Sequence, residues 1–266
     1  MGSSARQVHL RSRAMSSGAH DSATISCMAG LYCGTSGFAY ASWKPDFYPA
    51  KMPSKQFLGH YAGRLNAVEI NYTFRRLPSA ATLEAWLKAV PEGFVFCPKA
   101  HMRITHIQRL QKAEFTEIFF RALEPLRISR RLGPVLFQLP PQFRADPAVL
   151  KEFLRELPDG LRCAFEFRHE SWLTDEIYGA LESRGAALCL AESERLTIPA
   201  VLTAPFVYSR LRKTEYSPEE RADIAARIRE MLAGGRDCYV FFKHEETPAG
   251  ALYAEELLNL TKPAAD

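Results

Sequence analysis

Short runs of β-branched and aromatic residues alternate with segments of helical period from residue 31 onward, and this alternation limits the folds open to the chain. It is typical of repeated βα units around a parallel sheet. Eight strands are predicted, over residues 31–34, 67–70, 94–98, 135–139, 163–167, 187–190, 206–211 and 238–242.

The segments between these strands carry helix signals. Behind the N-cap candidate Ser79, apolar residues follow the i, i+3, i+4, i+7 spacing of an amphipathic helix. Asp146 and Pro147 begin another helix, and Ser217 with Glu220 forms a capping box ahead of a third. Further helices are predicted over 57–65, 115–126, 177–184 and 252–260. Residues 191–205 are too few and too irregular for a helix, so the sixth helix is predicted to be irregular or missing.

A single TIM-type (β/α)8 barrel of the α/β class fits eight such units, because one barrel commonly occupies about 250 residues and this chain has 266. A doubly wound open sheet is the alternative, since it uses the same alternation. Its dinucleotide fingerprint is absent, because Gly34-Thr35-Ser36-Gly37 lacks GxGxxG spacing and no helix follows it directly. We therefore predict that residues 30–266 form one barrel domain.

Residues 1–29 differ from the rest in composition. This segment contains three arginines, many serines and a single acidic residue: Arg6, Arg11, Arg13 and Asp21. We expect a disordered leader or an over-extended start with Met28 as the first native residue, although a transit peptide has a similar composition. No apolar run here is long enough for a signal sequence or a membrane span.

Charge and cysteine usage narrow the class of protein. The net charge is +4, with 34 basic and 30 acidic residues, so the chain lacks the overall positive field of many nucleic-acid binders, although a local basic cleft stays possible. The six cysteines have no CxxC spacing, and five lie in apolar runs, which indicates a reducing compartment. We therefore expect a cytoplasmic protein without a membrane partner, whose oligomeric state the sequence leaves open.

The strand ends predict where a site lies. Alternate residues of a barrel strand point inward, and the last inward residues face the C-terminal mouth, where active sites of such barrels occur. Polar residues gather there on seven strands: Glu69, Asn71, Lys99, Gln138, Glu166, Arg168, Glu192, Arg210 and Lys243. Deeper inward positions are apolar or aromatic: Leu136, Ala164, Leu188, Leu190, Phe206, Tyr208, Tyr239 and Phe241. The charged groups can form a purely structural network of ion pairs. Burying so many ions only for stability is usually unfavourable, however, so we favour a functional role for them.

Three of these residues are the predicted catalytic groups. Glu69 and Glu166 suit general acid and base roles if their surroundings separate their pKa values. Lys99 is either a base with a lowered pKa or the ion-pair partner of Glu69. Arg168, Arg210 and Lys243 are predicted to bind an anionic group. Asn71 and Gln138 are predicted to orient the substrate.

Histidines and aromatic residues fill the loops that follow the strands. Histidines together with Glu69 or Glu166 can ligate a divalent metal, but no HxH or HExxH spacing is present. We therefore predict no cofactor and assign the histidines to hydrogen bonding: His101, His106, His169 and His244. The aromatic residues either stack on a sugar or base or seal the barrel top: Phe38, Tyr40, Trp43, Tyr48, Phe74, Trp172 and Tyr216.

Ordered motif blocks give a resemblance to a known family. They are Gly34-Thr35-Ser36-Gly37-Phe38 with Trp43, Val68-Glu69-Ile70-Asn71 with Thr73-Phe74, Lys99-Ala100 with Thr105-His106, Gln138-Leu139-Pro140-Pro141, and Glu166-Phe167-Arg168-His169 with Ser171-Trp172. From about Tyr32 to the C-terminus the chain resembles the family called domain of unknown function 72, the YecE-like proteins. The resemblance implies a TIM-type barrel without a settled activity.

The resemblance also implies a set of motif residues at the mouth: Thr35, Trp43, Glu69, Asn71, Lys99, His106, Gln138, Glu166, Arg168, His169, Trp172 and Arg210. Three positions depart from the family pattern, at Arg75, at Glu192 and at Lys243-His244-Glu245.

Two functions from different classes fit these residues. One is an enzyme using acid–base chemistry on a small polar, anionic or polyhydroxylated substrate. The other is a non-catalytic module that binds a nucleotide, a nucleic acid or a partner protein. Metal-assisted hydrolysis is a third.

Overall fold

A computed structural model describes residues 29–243 and 246–261. The leader predicted for residues 1–29 lies outside the described residues, apart from Ala29. The strands are β1 Leu31–Thr35, β2 Ala67–Ile70, β3 Val95–Pro98, β4 Val135–Gln138, β5 Cys163–Glu166, β6 Ala187–Leu188, β7 Leu190–Ala191, β8 Phe206–Leu211 and β9 Asp237–Phe242. The α-helices are α1 Phe57–Ala62, α2 Ala80–Ala89, α3 Glu114–Ala122, α4 Glu124–Ile128, α5 Pro147–Glu156, α6 Asp175–Arg184, α7 Pro218–Ala233 and α8 Ala249–Leu260.

The described chain forms an α/β fold whose paired strands are all parallel. The strands are arranged in three sheets, with orders β1-β9-β8-β7, β2-β3 and β4-β5-β6. Helices follow most of the strands along the chain. The alternation of strands and helices predicted from the sequence is therefore present.

Isolated bridges connect the edges of neighbouring sheets. Ser36 pairs with Glu69 beyond the end of β1, and Lys99 pairs with Leu136 beyond the end of β3. The approach of β1 to β2 requires a glycine, because a Cβ on Gly34 would lie 1.9 Å from the carbonyl oxygen of Ala67. That close contact brings the C-terminal ends of β1 and β2 together.

The predicted sixth strand, over 187–190, is divided into β6 and β7. The N–H of Ala191 donates to the carbonyl of Cys189 at 3.0 Å, so a local turn interrupts the strand between them. β6 pairs with β5, and β7 pairs with β8. Residues 192–205, all described, contain no helix. Instead the Thr203 hydroxyl donates to the carbonyl of Ala186.

The helix termini follow the predicted capping signals. Ser79 accepts a hydrogen bond from the Thr82 N–H, and Ser217 forms the complete capping box of α7 with Glu220. The long helix predicted over 115–126 is instead two helices, α3 and α4. Pro125 explains the break, because proline has no N–H to continue the helical hydrogen bonds.

Buried apolar residues form two clusters. The larger one joins the helices to the strands. The smaller one, which we call the strand-face cluster, contains strand residues and Cys189: Ala67, Val95, Cys97, Leu136, Ala164, Ala187, Cys189, Ala191, Phe206, Tyr208, Tyr239 and Phe241. Six predicted inward residues belong to it, but the parity predicted for the sixth strand is wrong. There Leu188 and Leu190 pack into the larger cluster, because the inward positions are those of Ala187, Cys189 and Ala191.

Helix length and polarity are also informative about membranes. Within residues 29–243 and 246–261, no helix combines the length and apolar character that crossing a bilayer requires.

Candidate functional site

A cleft of about 600 Å³ opens beside the C-terminal ends of several strands, a size typical of small-molecule sites. Its described lining has six cations and no carboxylate. The cations are Arg75, Arg76, Arg168, Arg210, Arg212 and Lys243, and the remaining lining residues are Tyr40, Asn71, Tyr72, Phe74 and Gln138. The lining therefore carries a strong excess of positive charge.

Arg210 connects the cleft to two buried carboxylates. Its Nη1 donates to Oε2 of Glu166 at 2.5 Å, and its Nη2 donates to Oε1 of Glu69 at 2.7 Å. All three side chains are at most 2% exposed. One guanidinium thus bridges the C-terminal parts of β2, β5 and β8, where burial of the ions is compensated by direct pairing.

Every oxygen of the Glu69 carboxylate is occupied. Ser36 donates to Oε1 at 2.7 Å, the atom that also accepts from Arg210, and Tyr208 donates to Oε2 at 2.8 Å. The bridge between Ser36 and Glu69 places the serine hydroxyl beside the carboxylate. These contacts keep Glu69 fixed below the cleft.

Glu166 has even more donors. Gln138, its register partner on β4, donates to Oε2 at 2.9 Å, while Arg168 and Arg212 donate to Oε1 at 3.0 and 2.8 Å. Burial alone would raise the pKa of Glu166, but the positive charges of Arg210, Arg212 and Arg168 outweigh it and hold the pKa well below the ordinary value. Glu166 is therefore a permanently ionised anchor for the arginines.

Lys99 differs from its neighbours because its amine has no hydrogen bond or ion pair within the described part of the chain. Its Nζ lies 4.0 Å from the centre of the Phe74 ring, in a cation–π contact. Burial, together with the charge of Arg210, lowers the pKa of Lys99 to about 8. At neutral pH this lysine can therefore exchange a proton far more readily than a surface lysine.

His106 contacts the same Phe74 ring as Lys99 does. It belongs to a short π-helix over Arg103–Ile107, a conformation that often occurs at functional sites. Its ring packs edge-on against Phe74 with a centroid distance of 5.1 Å, and Nδ1 lies 2.9 Å from the Thr105 hydroxyl. Burial, with the charge of Lys99 next, lowers the pKa of His106. The imidazole is thus predominantly neutral near pH 7.

Most of the site residues predicted from the sequence meet at this cleft. Five line it, and four more contact its lining: Asn71, Gln138, Arg168, Arg210 and Lys243, then Glu69, Lys99, His106 and Glu166. The sequence predicted an ion-pair network and a gathering of polar residues at the C-terminal ends of the strands. In the structure both involve the same group of residues. Their catalytic and binding roles stay predictions.

Four other predicted residues do not line the cleft. Thr35 hydrogen-bonds Gly37 and Tyr61 in the buried region behind β1. Trp43 is buried against aromatic residues, with Tyr48 stacked at 5.9 Å. Two further side chains have local contacts: His169 accepts the N–H of Ser171, and Trp172 donates to the carbonyl of Phe143.

Several residues at the site were missed by the sequence reasoning. Ser36 occupies the inward position next to Thr35, and Tyr208, assigned only to the interior, is a hydrogen-bond donor to Glu69. Arg212 lies two residues after Arg210, so extending the same strand parity would have found it. Arg75 and Arg76 belong to a loop, for which strand parity gives no signal.

The described side chains include no group of three or more His, Cys, Asp or Glu residues placed to hold a metal ion. The Nδ1 of His101 accepts a hydrogen bond of 3.0 Å from the N–H of Arg103, so this nitrogen is already occupied as an acceptor. The predicted candidate His244 lies outside the described residues.

Similar proteins were found by sequence and by structure. UPF0759 protein YunF of Bacillus subtilis (strain 168) is 32% identical over 156 residues, which are 56% of this chain and 54% of that protein. The chain thus spans about half the length of this curated relative.

Two crystal structures share the fold. A DUF72 family protein from Thermotoga maritima MSB8 has a TM-score of 0.76 and 28% identity, over 87% of this chain and 98% of that one. A DUF72 family protein from Enterococcus faecalis V583 has a TM-score of 0.74 and 20% identity, over 89% and 97%. The family model described as "Protein of unknown function DUF72" matches residues 32–265, and the chain therefore belongs to the DUF72 family.

Proposed function

We propose that this protein is an enzyme that transfers protons on a small polar substrate carrying an anionic group, bound in the cationic cleft. The excess of positive charge in the cleft carries the proposal. Six cations line it, and two of them, Arg75 and Arg76, are exposed residues with no ion pair in the described structure. A carboxylate or phosphate group of a substrate would neutralise this field, because guanidinium groups bind such anions in a bidentate manner.

The contacts favour Lys99 as the group that moves a proton. A general acid or base works best when its pKa is close to the working pH, and the pKa of Lys99 is about 8. Glu69 and Glu166 have all their oxygens occupied by donors, so we assign them a positioning role, in which they hold Arg210 and the neighbouring arginines. Asn71 and Gln138, both in the lining, would orient the substrate.

We further propose that the three sheets close into one TIM-type barrel, over the domain predicted for residues 30–266. The bridges from β1 to β2 and from β3 to β4 support closure. So does the chain itself, which passes directly from β6 in one sheet to β7 in another. In such a barrel the C-terminal ends of the strands would surround the cleft. A crystal structure in which β1 and β2 are separated would contradict closure.

A cytoplasmic location is part of the proposal. The five described cysteines are all free and buried, as is common for thiols in a reducing compartment. We expect the oligomeric state of the purified protein to be the same with and without reductant. Sedimentation under both conditions would show this.

Anion binding is tested by thermal shift and calorimetry with phosphate, sulfate, short dicarboxylates and phosphorylated metabolites. A ligand at one hundred times its Kd should stabilise the protein by about 2.7 kcal/mol. The double variant Arg75→Gln/Arg76→Gln should weaken binding of the best ligand about tenfold or more while the fold is retained. The control is Arg155→Gln, an exposed arginine of α5 outside the cleft lining. Absence of stabilisation by any anion would contradict the proposal.

Catalysis is tested by following each bound ligand by proton NMR for conversion or for exchange of C–H protons with deuterium. Lys99→Met should abolish the change in the ligand and retain its binding within about threefold. Conversion at the full rate by Lys99→Met would contradict the role of this lysine.

The second candidate function is non-catalytic binding of a nucleotide or nucleic acid. Tyr72, which is 44% exposed, and Tyr40 and Phe74 place aromatic rings beside the cationic lining, as in sites where bases stack. A gel shift with single-stranded DNA and RNA at increasing salt tests it. Binding that weakens steeply with salt, together with no C–H exchange in any small ligand, would favour this function over the enzyme.

A further inference from the structure

The amine of Lys99 is a largely buried cation that forms no hydrogen bond or ion pair with any described residue, although the carboxylates of Glu69 and Glu166 lie near enough to raise its pKa. The two nearby carboxylates that could pair with it, Glu69 and Glu166, are already committed to donors from other strands. Burying an ammonium group without a partner is costly, and such positions are enriched in functional lysines. The arginines thus take the carboxylates that would otherwise neutralise Lys99.

The surroundings of Lys99 favour the neutral amine. Burial and the like charge of Arg210 lower the pKa of Lys99 by more than the carboxylates of Glu69 and Glu166 raise it. The Phe74 ring, 4.0 Å from Nζ, favours the ammonium form but does not reverse this balance. With a pKa of about 8, about one-tenth of the amine is neutral at pH 7, roughly two orders of magnitude more than for an unperturbed lysine. A neutral amine next to cationic groups is the state in which lysine is a nucleophile.

Lys99 is not itself part of the cleft lining, but its amine contacts a residue that is. Phe74, whose ring lies against Nζ, is part of the cleft lining, and Lys99 keeps 9% of its surface exposed. A small ligand held by the cationic lining would have its remaining atoms close to this ring. The position therefore joins an anion-binding surface to a nucleophile.

We infer that Lys99 forms a covalent imine with a short carbonyl compound whose anionic group is held by the arginines of the cleft, such as a 2-oxo acid. This inference rests on the proposed anion-binding cleft and specifies its substrate class. The neutral Nζ adds to the carbonyl carbon, a C–N bond forms, and the C=O electron pair passes to oxygen, which gains a proton while nitrogen loses one. The carbinolamine then loses one water, and C=N forms without oxidation or reduction.

In an imine the Lys99 nitrogen would promote proton transfer at the neighbouring carbon instead of carrying the proton itself. The protonated C=N group withdraws electrons from the adjacent carbon, so that a C–H or C–C bond next to it breaks more easily. Isomerisation, aldol cleavage and decarboxylation are the reaction classes that use this effect. The inference therefore directs the search for a substrate toward anionic aldehydes and ketones.

Reductive trapping tests the inference on the full-length protein. Pyruvate or glyoxylate is added with sodium cyanoborohydride near pH 7, and labelled lysines are identified by peptide mass mapping at several times. We expect Lys99 to be labelled about tenfold or more faster than exposed lysines such as Lys88, because more of its amine is neutral. Labelling of Lys99 no faster than that of Lys88 would overturn the inference.

Two variants and a competitor separate the possible outcomes. Lys99→Met should lose the fast labelling, whereas Lys88→Met should keep it. Inorganic phosphate should slow the fast phase if the cleft holds the anionic group. Fast labelling that phosphate leaves unchanged would overturn the link to the cleft.

Binding without reductant distinguishes this inference from the proposed function. Calorimetry with phosphate, which has no carbonyl group, measures anion binding independently of the covalent step. Anion binding without fast labelling of Lys99 would overturn the imine and leave the acid–base proposal standing. Absence of anion binding would contradict the proposed function itself.

Discussion

The hydroxyl of Tyr208 on β8 donates a hydrogen bond of 2.8 Å to Oε2 of Glu69 on β2. Among the described residues it is the only donor to that oxygen, because Arg210 and Ser36 both donate to Oε1. We expect Tyr208→Phe to leave a buried carboxylate oxygen unpaired and to lower the free energy of unfolding by about 1–3 kcal/mol.

Urea unfolding followed by circular dichroism measures this loss. The matched control is Tyr178→Phe, because the Tyr178 hydroxyl is buried without a hydrogen-bond partner in the described structure. That variant should be neutral or slightly more stable. Equal losses in the two variants would show that the bond to Glu69 contributes nothing.

Removing Arg210 should be far more damaging. Arg210→Met leaves Glu69 and Glu166 as buried charges without their shared partner, and breaking a buried ion pair in this way typically costs about 3–5 kcal/mol. The exposed pair of Arg127 and Glu124 on α4 gives the comparison. Arg127→Met should change stability by about 0.5 kcal/mol or less. A loss at Arg210 as small as that at Arg127 would contradict the buried network.

Lys99 should reduce stability at neutral pH. Its pKa falls to about 8 in the folded protein from 10.5, so the unfolded chain binds more protons between these values, and stability should rise with pH there. Lys99→Met should therefore be more stable than the wild type at pH 7, by about 1–3 kcal/mol. The difference should shrink above pH 8. Lys88→Met is the control, and an equal gain at both positions would oppose the interpretation.

Glu166 should contribute to the stability of the protein against acid. Its pKa is lower in the folded than in the unfolded chain, so its contribution is complete above the unfolded value near 4.5 and is lost as the pH falls below that value. Urea midpoints from pH 7 to pH 3 should therefore fall more steeply for the wild type than for Glu166→Gln. The exposed Glu84→Gln should follow the wild type. Parallel curves for Glu166→Gln and the wild type would contradict the anchoring role.

Much of the fold could be predicted because local signals decided it. Ser79, Asp146 and Ser217 begin helices where capping chemistry places them, and the strands over Ala67–Ile70 and Phe206–Leu211 have the predicted bounds. The sixth strand was predicted with the wrong parity, since a turn at Cys189 depends on pairing with two different neighbours. The helix predicted over 115–126 is interrupted because apolar spacing carries no signal for the missing N–H of Pro125.

The candidate site was predictable to the extent that it follows strand ends. Glu69, Glu166 and Arg210 come together because alternation along parallel strands fixes their side. The division of labour among them was not predictable, since it depends on which hydrogen-bond donors reach each oxygen. Thr35 shows the limit of a motif, because the residue that reaches the site is its neighbour Ser36.

The Phe74 ring touches the Lys99 amine on its face, meets the His106 imidazole edge-on, and forms part of the cleft surface. Trimming this ring would enlarge the room for a ligand and at the same time release the ammonium group from its aromatic neighbour. Affinity and reactivity cannot be tuned separately through this position, and a redesign of the cleft for larger compounds would have to begin elsewhere along its wall.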